Sequence, residues 1–189
     1  GASVLFSAWE RQEDTSFREV LFLQPLPSGP ATRLSVPDDS LPTWARLPRF
    51  ENLTVAGDGQ TAAFSLRGVT SDNAIWRGLG LFSVNQPELR WITTNLWSGQ
   101  WESPTEGYVP ELDADGRRLV FQDWRDSDEP TPFPPQRRVV LWDVESQVAR
   151  SPSLPVGDTL EQFHPTLSPD GRTVGFLQGT LGDYSGEFP

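Results

Sequence analysis

The residues whose types and spacing come nearest to chemistry are carboxylates. Asp126, Asp128 and Glu129 fall in the stretch DWRDSDEP that begins at Asp123. Several oxygens so close together suit a Ca²⁺ ion, which takes about six to eight oxygen ligands. The spacing completes no calcium loop, so a solvated acidic loop is the expectation, with Ca²⁺ the one cofactor these residues suggest. Asp113 and Asp115 in DADG also resemble the start of a calcium loop, but they belong to a turn that recurs along the chain. His164 is the single histidine and has no carboxylate at helical or strand spacing with which to hold a metal. Ser185 in GDYSG, residues 182–186, does not make a nucleophile elbow: G-x-S-x-G requires glycine two residues before the serine, and position 183 is Asp. With no cysteine, thiol catalysis, thiolate metal sites and disulfides fall away together. No acid, base and nucleophile converge, and the chain is expected to be no enzyme by itself.

Composition narrows the partners. The 189 residues carry a net charge of −11, and all fifteen basic residues are arginine. A phosphate backbone would repel such a chain, and no cluster of arginines exceeds two in a row, so nucleic acid is not an expected partner. No apolar stretch reaches the roughly 18 residues of a membrane span. Absence of cysteine fits an exported protein, periplasmic or extracellular. The 16 glycines and 18 prolines follow no short period, while eight Trp and eleven Phe demand burial or a partner. Many short strands joined by turns answer that composition better than helices.

A repeat supplies the strands. Leu53 to Arg67 reads LTVAGDGQTAAFSLR, Glu111 to Trp124 reads ELDADGRRLVFQDW, and Leu167 to Gln178 reads LSPDGRTVGFLQ. Each is a short extended segment, an Asp-Gly turn, then a β-rich segment with Phe five residues after the glycine. The turns at Asp58, Asp115 and Asp170 stand 57 and 55 residues apart. Gly59, Gly116 and Gly171 are therefore expected at positive φ, the conformation a tight hairpin demands. SVLFSAW from Ser3 matches the second half of the unit and forms a fourth, incomplete copy. Third strands are expected at FREVLFLQ from Phe17, AIWRGLGLFSVN from Ala74 and RRVVLWDVES from Arg137, and fourth strands at ATRLSV from Ala31, LRWITTN from Leu89 and VARSPSLPV from Val148. Four strands at a constant period describe a propeller blade.

Ser168-Pro169-Asp170-Gly171-Arg172, followed by Val174 and Phe176, resembles the SPDG-x-x-(apolar)-x-F signature of TolB-like β-propellers. The period of 55 to 58 residues exceeds the roughly 40 to 50 of common propeller repeats, and long loops take up the excess. The resemblance implies an all-β chain, a partial β-propeller of about three and a half four-stranded antiparallel blades. A single propeller region, 1–189, would divide into a partial blade at 1–40, blades at 45–97 and 105–157, and a second partial blade at 160–189. It further implies that first strands line a central channel and that one face gathers the long loops. Those loops hold Trp44, Trp97, Trp101, Trp124 and Phe133, a heavy aromatic load of the kind that marks interaction surfaces.

These readings lead to a non-enzymatic protein-binding or scaffold propeller, a subunit or segment of a larger exported bacterial assembly. Its partner would be another protein, or further blades that complete the ring. The alternative is the propeller portion of a prolyl-oligopeptidase-like serine peptidase whose catalytic domain lies outside these residues. A lactonase-type metal propeller would need several channel carboxylates, and the inner strands offer Glu51, Glu111 and Asp113.

Overall fold

Each Asp-Gly turn is set by local chemistry. In the computed structural model, which describes residues 3–13, 17–34, 46–69, 75–84, 86–97, 108–125, 136–151 and 160–180, the three glycines take positive φ: 71° at Gly59 and 67° at Gly116 and Gly171. The same two bonds close all three turns. The glycine amide donates to the carbonyl three residues back, at Ala56, Asp113 and Ser168, and the amides of those residues donate to the carbonyls of Thr61, Arg118 and Thr173. Side chains then lock the turns. Asp58 Oδ1 accepts from the Gln60 amide at 2.8 Å, and Asp170 Oδ1 accepts from the Arg172 amide at 3.1 Å. Ser168 Oγ donates to Asp170 Oδ1 at 2.6 Å and accepts from the Thr173 amide at 2.9 Å. The Ser and Asp of SPDG are thus turn residues with defined work.

The Ser168 hydroxyl, and next the Arg172 amide, hold the Asp170 carboxyl below the ordinary carboxylate range. A depressed folded-state pKa adds stability above the unfolded value of about 3.9, and that stability is lost as pH falls through the folded value. Denaturation of Asp170→Asn beside the parent chain should therefore show a gap near neutral pH that closes below about pH 3.9. A gap that widens in acid would contradict the turn geometry.

Thirteen strands follow, ordered in four antiparallel sheets among the described residues. The first sheet runs β1 (Ser3–Arg11), β2 (Phe17–Pro25), β3 (Thr32–Leu34). The second runs β4 (Arg46–Val55), β5 (Thr61–Val69), β6 (Ile75–Ser83), β7 (Gln86–Trp97). The third runs β8 (Glu111–Leu112), β9 (Arg118–Arg125), β10 (Gln136–Asp143), β11 (Val148–Arg150). The fourth holds β12 (Leu160–Leu167) and β13 (Val174–Thr180). Each strand pairs with its successor in the chain, so every sheet is a meander. The expected strand order agrees with this one, while lengths depart from expectation: β4 reaches ten residues and β12 eight, β8 holds two, and β7 reaches twelve.

Near-continuous buried runs, as along β5, give the internal sheets two buried faces, and successive sheets stack through them. β4 lies against β1 and β2, β8 against β4 and β5, and β12 against β8, β9 and β10. Phe64 joins Leu21, Leu23 and Leu34 in one core; Phe121 joins Ala63, Leu79 and Leu81 in the next; Phe176 packs against the cluster of Val120, Val139 and Leu167. The Phe of each complete repeat is the residue that docks its sheet onto the preceding one. An aromatic on the entering side of the sheet crosses that ring edge-on in two of them, Phe50 of β4 on Phe64 at 5.2 Å and Tyr108, just ahead of β8, on Phe121 at 6.3 Å.

The turns themselves join into a ladder. The Asp58 amide donates to the Ala114 carbonyl and the Ala114 amide to the Pro169 carbonyl, each at 2.8 Å. Arg118 donates from Nη1 to the Gly171 carbonyl. Sheets two, three and four are therefore fixed in level at their Asp-Gly ends.

Candidate functional site

Since the Asp-Gly turns share one end of the stacked sheets, the connections β1–β2, β5–β6 and β9–β10 share the other. The expected loop face is this second end. Six of the eight nominated residues lie outside the described residues, namely Trp44, Trp101, Phe133, Asp126, Asp128 and Glu129. Trp97 and Trp124 are described in backbone alone. Trp97 closes β7 opposite Ile75, and Trp124 stands near the end of β9 opposite Arg137. Both come to the loop end.

Two aromatics that sequence reasoning did not nominate join them. Trp9 and Phe17 flank the β1–β2 connection, with 52% and 61% of their surfaces exposed. Cross-strand register pairs Trp9 with Glu19 and Phe17 with Arg11, so all four share one face of the sheet. The signal was present: both rings sit where a strand enters or leaves the acidic stretch Glu10 to Ser16. They were read only as strand residues, and period-two alternation does not tell which strand residues stay exposed.

The inner-strand carboxylates are all engaged. Glu51 lies 3.8 Å from the guanidinium of Arg77, a residue 3% exposed whose proton affinity burial lowers and Glu51 partly restores. Glu111 Oε2 accepts from the Leu167 amide of the next sheet at 2.9 Å. Asp113 Oδ1 accepts from the Arg117 and Arg118 amides at 2.8 and 3.1 Å. A channel cation would have to break a turn, a sheet-to-sheet bond or the partner of a buried arginine. Among the described residues no group of three His, Cys, Asp or Glu side chains gathers as a metal site.

Glu111 belongs to a set of polar clamps between sheets. Glu19 Oε2 accepts from the Phe50 amide at 2.8 Å while its other oxygen accepts from Ser7 Oγ at 2.6 Å. Asn52 Nδ2 donates to the Tyr108 carbonyl at 2.9 Å. Gln162 Oε1 accepts from the Val139 amide at 3.1 Å. Arg137 lies over the Phe163 ring at 5.4 Å. Each clamp ties a side chain of one sheet to the entering strand of its neighbour or the reverse. Two of those entering strands are bulged at matching places: Asn52 (φ 48°) and His164 (φ 50°) both sit at register shifts. His164 is exposed, with its ring edge-on to Phe163 at 5.5 Å.

No family model matches the chain, and no curated protein is significantly similar to it. Among solved structures it is similar to the tricorn protease, with a TM-score of 0.59 and 11% identity over 93% of this chain and 14% of that one. It is also similar to a prolyl endopeptidase, with a TM-score of 0.53 and 15% identity over 84% of this chain and 22% of that one. A further match is to an oligogalacturonate lyase in complex with manganese, with a TM-score of 0.42 and 13% identity over 82% of this chain and 36% of that one. At such identities the first two speak for the fold, and this is an all-β chain of the β-propeller kind, built of antiparallel sheets of up to four strands. It spans about a seventh of the tricorn protease and about a fifth of the prolyl endopeptidase.

Proposed function

We propose that this chain is a non-enzymatic protein-binding or scaffold segment of a TolB-like propeller, about three and a half blades of a larger exported assembly. The observation that carries this reading is the loop end. Trp9 and Phe17 stand exposed there, and the chain brings Trp97 and Trp124 to the same end, while the inner-strand carboxylates serve the fold itself. Amphipathic aromatics in a cluster are the usual anchors of protein interfaces. The partner expected is a protein with an apolar patch and a basic rim, since the chain carries a charge of −11.

Because Trp9 and Phe17 are exposed, their removal leaves the core intact. Trp9→Ala, Phe17→Ala and the pair Trp97→Ala with Trp101→Ala should each weaken the native complex by more than about 1 kcal/mol, roughly a fivefold rise in Kd. Titration of the purified partner by calorimetry measures it. Unchanged Kd in all three variants would remove this face from the interaction.

The second reading, a propeller portion of a prolyl-oligopeptidase-like peptidase, is favoured by the similarity to a prolyl endopeptidase. Under it, peptide hydrolysis by the native polypeptide should be abolished by changes outside these residues and by none within them.

A further inference from the structure

Like charges at directly opposite strand positions repel and weaken a sheet. The second sheet holds such a row. Its register sets Arg49 of β4 opposite Arg67 of β5, and Arg67 opposite Arg77 of β6, so three arginines cross the sheet side by side. The row lies two residues short of the end of β5, at the loop end. By alternation its side chains share the face of Ser65 and Leu79, which packs on the third sheet. Arg49 is exposed, Arg67 half-buried and Arg77 buried.

The neighbouring carboxylates do not balance this charge. Glu51, on the same face of β4, lies 3.8 Å from Arg77. On the third sheet, alternation from Phe121 and Val140 turns Asp123 and Arg138 toward the second, but these two pair with each other at 2.8 Å and cancel. Arg67 Nε is buried without a hydrogen-bond partner. Among the described residues no carboxylate pairs with Arg67 or Arg49. Burial lowers the proton affinity of Arg77; Glu51 restores part of it, and the like charge of Arg67 lowers it again. A sheet shaped for stability alone would carry an apolar or acidic residue at position 67. Breaking a local rule without a gain to the fold is the mark of a functional position.

We propose that Arg49, Arg67 and Arg77 form a binding site for a small dicarboxylate, at the loop end between the second and third sheets. Glu51 answers one of the three charges and leaves two, which a dicarboxylate matches. Strands stand about 4.8 Å apart, so the row offers one gap between Arg49 and Arg67 and another between Arg67 and Arg77, and a short spacer sets a carboxylate at each. Arg67 serves both, with the planar fork that suits carboxylate oxygens. Phosphate concentrates its charge on one centre and costs more to take out of water. The site uses none of the loop-end aromatics and does not depend on the scaffold reading.

Calorimetric titration of the native polypeptide at low ionic strength with succinate, acetate and inorganic phosphate tests it. Succinate should bind, raise the Tm, and do so with a Kd at least about tenfold below those of acetate and phosphate. Arg67→Gln should raise the succinate Kd at least about tenfold, and Arg49→Gln, an exposed position whose change spares the core, at least about threefold. Melting without ligand separates binding from a structural role: Arg67→Gln relieves the repulsion in the row and should melt at or above the parent temperature. No binding of succinate, acetate or phosphate binding as tightly, an unchanged succinate Kd in both variants, or an Arg67→Gln chain that melts well below the parent would overturn the proposal.

Discussion

Gly116→Ala should cost about 2 to 5 kcal/mol, one of the two largest effects expected of any single substitution in the chain. Two terms add. At φ 67° a side chain must hold the left-handed conformation, which costs roughly 1 to 2 kcal/mol. A Cβ at Gly116 would also sit 2.5 Å from Thr61 Oγ1 and 2.6 Å from Thr61 Cβ, so two sheets would have to part, for roughly another 1 to 3 kcal/mol. For a chain of this size that is a fall in Tm on the order of 10 °C. Gly116→Asn separates the terms, because asparagine tolerates the left-handed region but not the contact. Asparagine should recover a minor share. Thermal unfolding at the parent's stability for Gly116→Ala would mean that the second and third sheets do not meet at their turns.

Phe64→Ala should cost about 3 to 5 kcal/mol, the range for emptying a buried aromatic site. Phe64 is wholly buried and touches three other rings, Phe50, Phe82 and Trp91, at 5.2 to 6.2 Å. The site cannot collapse easily, because Gly80 lies under the ring: a Cβ there would be 2.5 Å from Phe64 Cζ. The cavity opens between two sheets rather than inside one. Phe6→Ala, at the same repeat position on a half-covered face, should cost about half as much. Urea denaturation midpoints of the two variants measure the difference. Equal losses would show that Phe6 is as buried as Phe64, with another sheet already upon it.

These effects explain why the fold was legible and the site only partly so. Asp-Gly at three repeats and Phe five residues later are turn and core chemistry, visible one residue at a time, and strand order follows once the turns are placed. Positive φ at Gly59, Gly116 and Gly171 was expected for that reason and is found. The bulges at Asn52 and His164 were not expected, since the strand must bend there to meet a neighbouring sheet that no local pattern announces. Glu19, Glu111 and Gln162 look like solvent-facing polar positions in an alternating strand, yet each accepts a backbone amide across a sheet interface. Their role depends on which sheet comes next, and sequence periodicity within one strand carries no such information. Trp9 and Phe17 were passed over on the same ground. The loop residues Trp44, Trp101, Phe133, Asp126, Asp128 and Glu129 remain expectations from composition, and Ca²⁺ with them, outside the described residues.

The measurement closest to the central claim is the mass of the native polypeptide that carries these residues, taken together with the mass of the particle it forms without denaturant. A scaffold segment that works within a larger assembly should be found inside a body larger than 21.1 kDa, whether by added chain or a bound partner. A native particle of 21.1 kDa, monomeric and stable, would contradict the scaffold reading, because no larger assembly would then hold the chain.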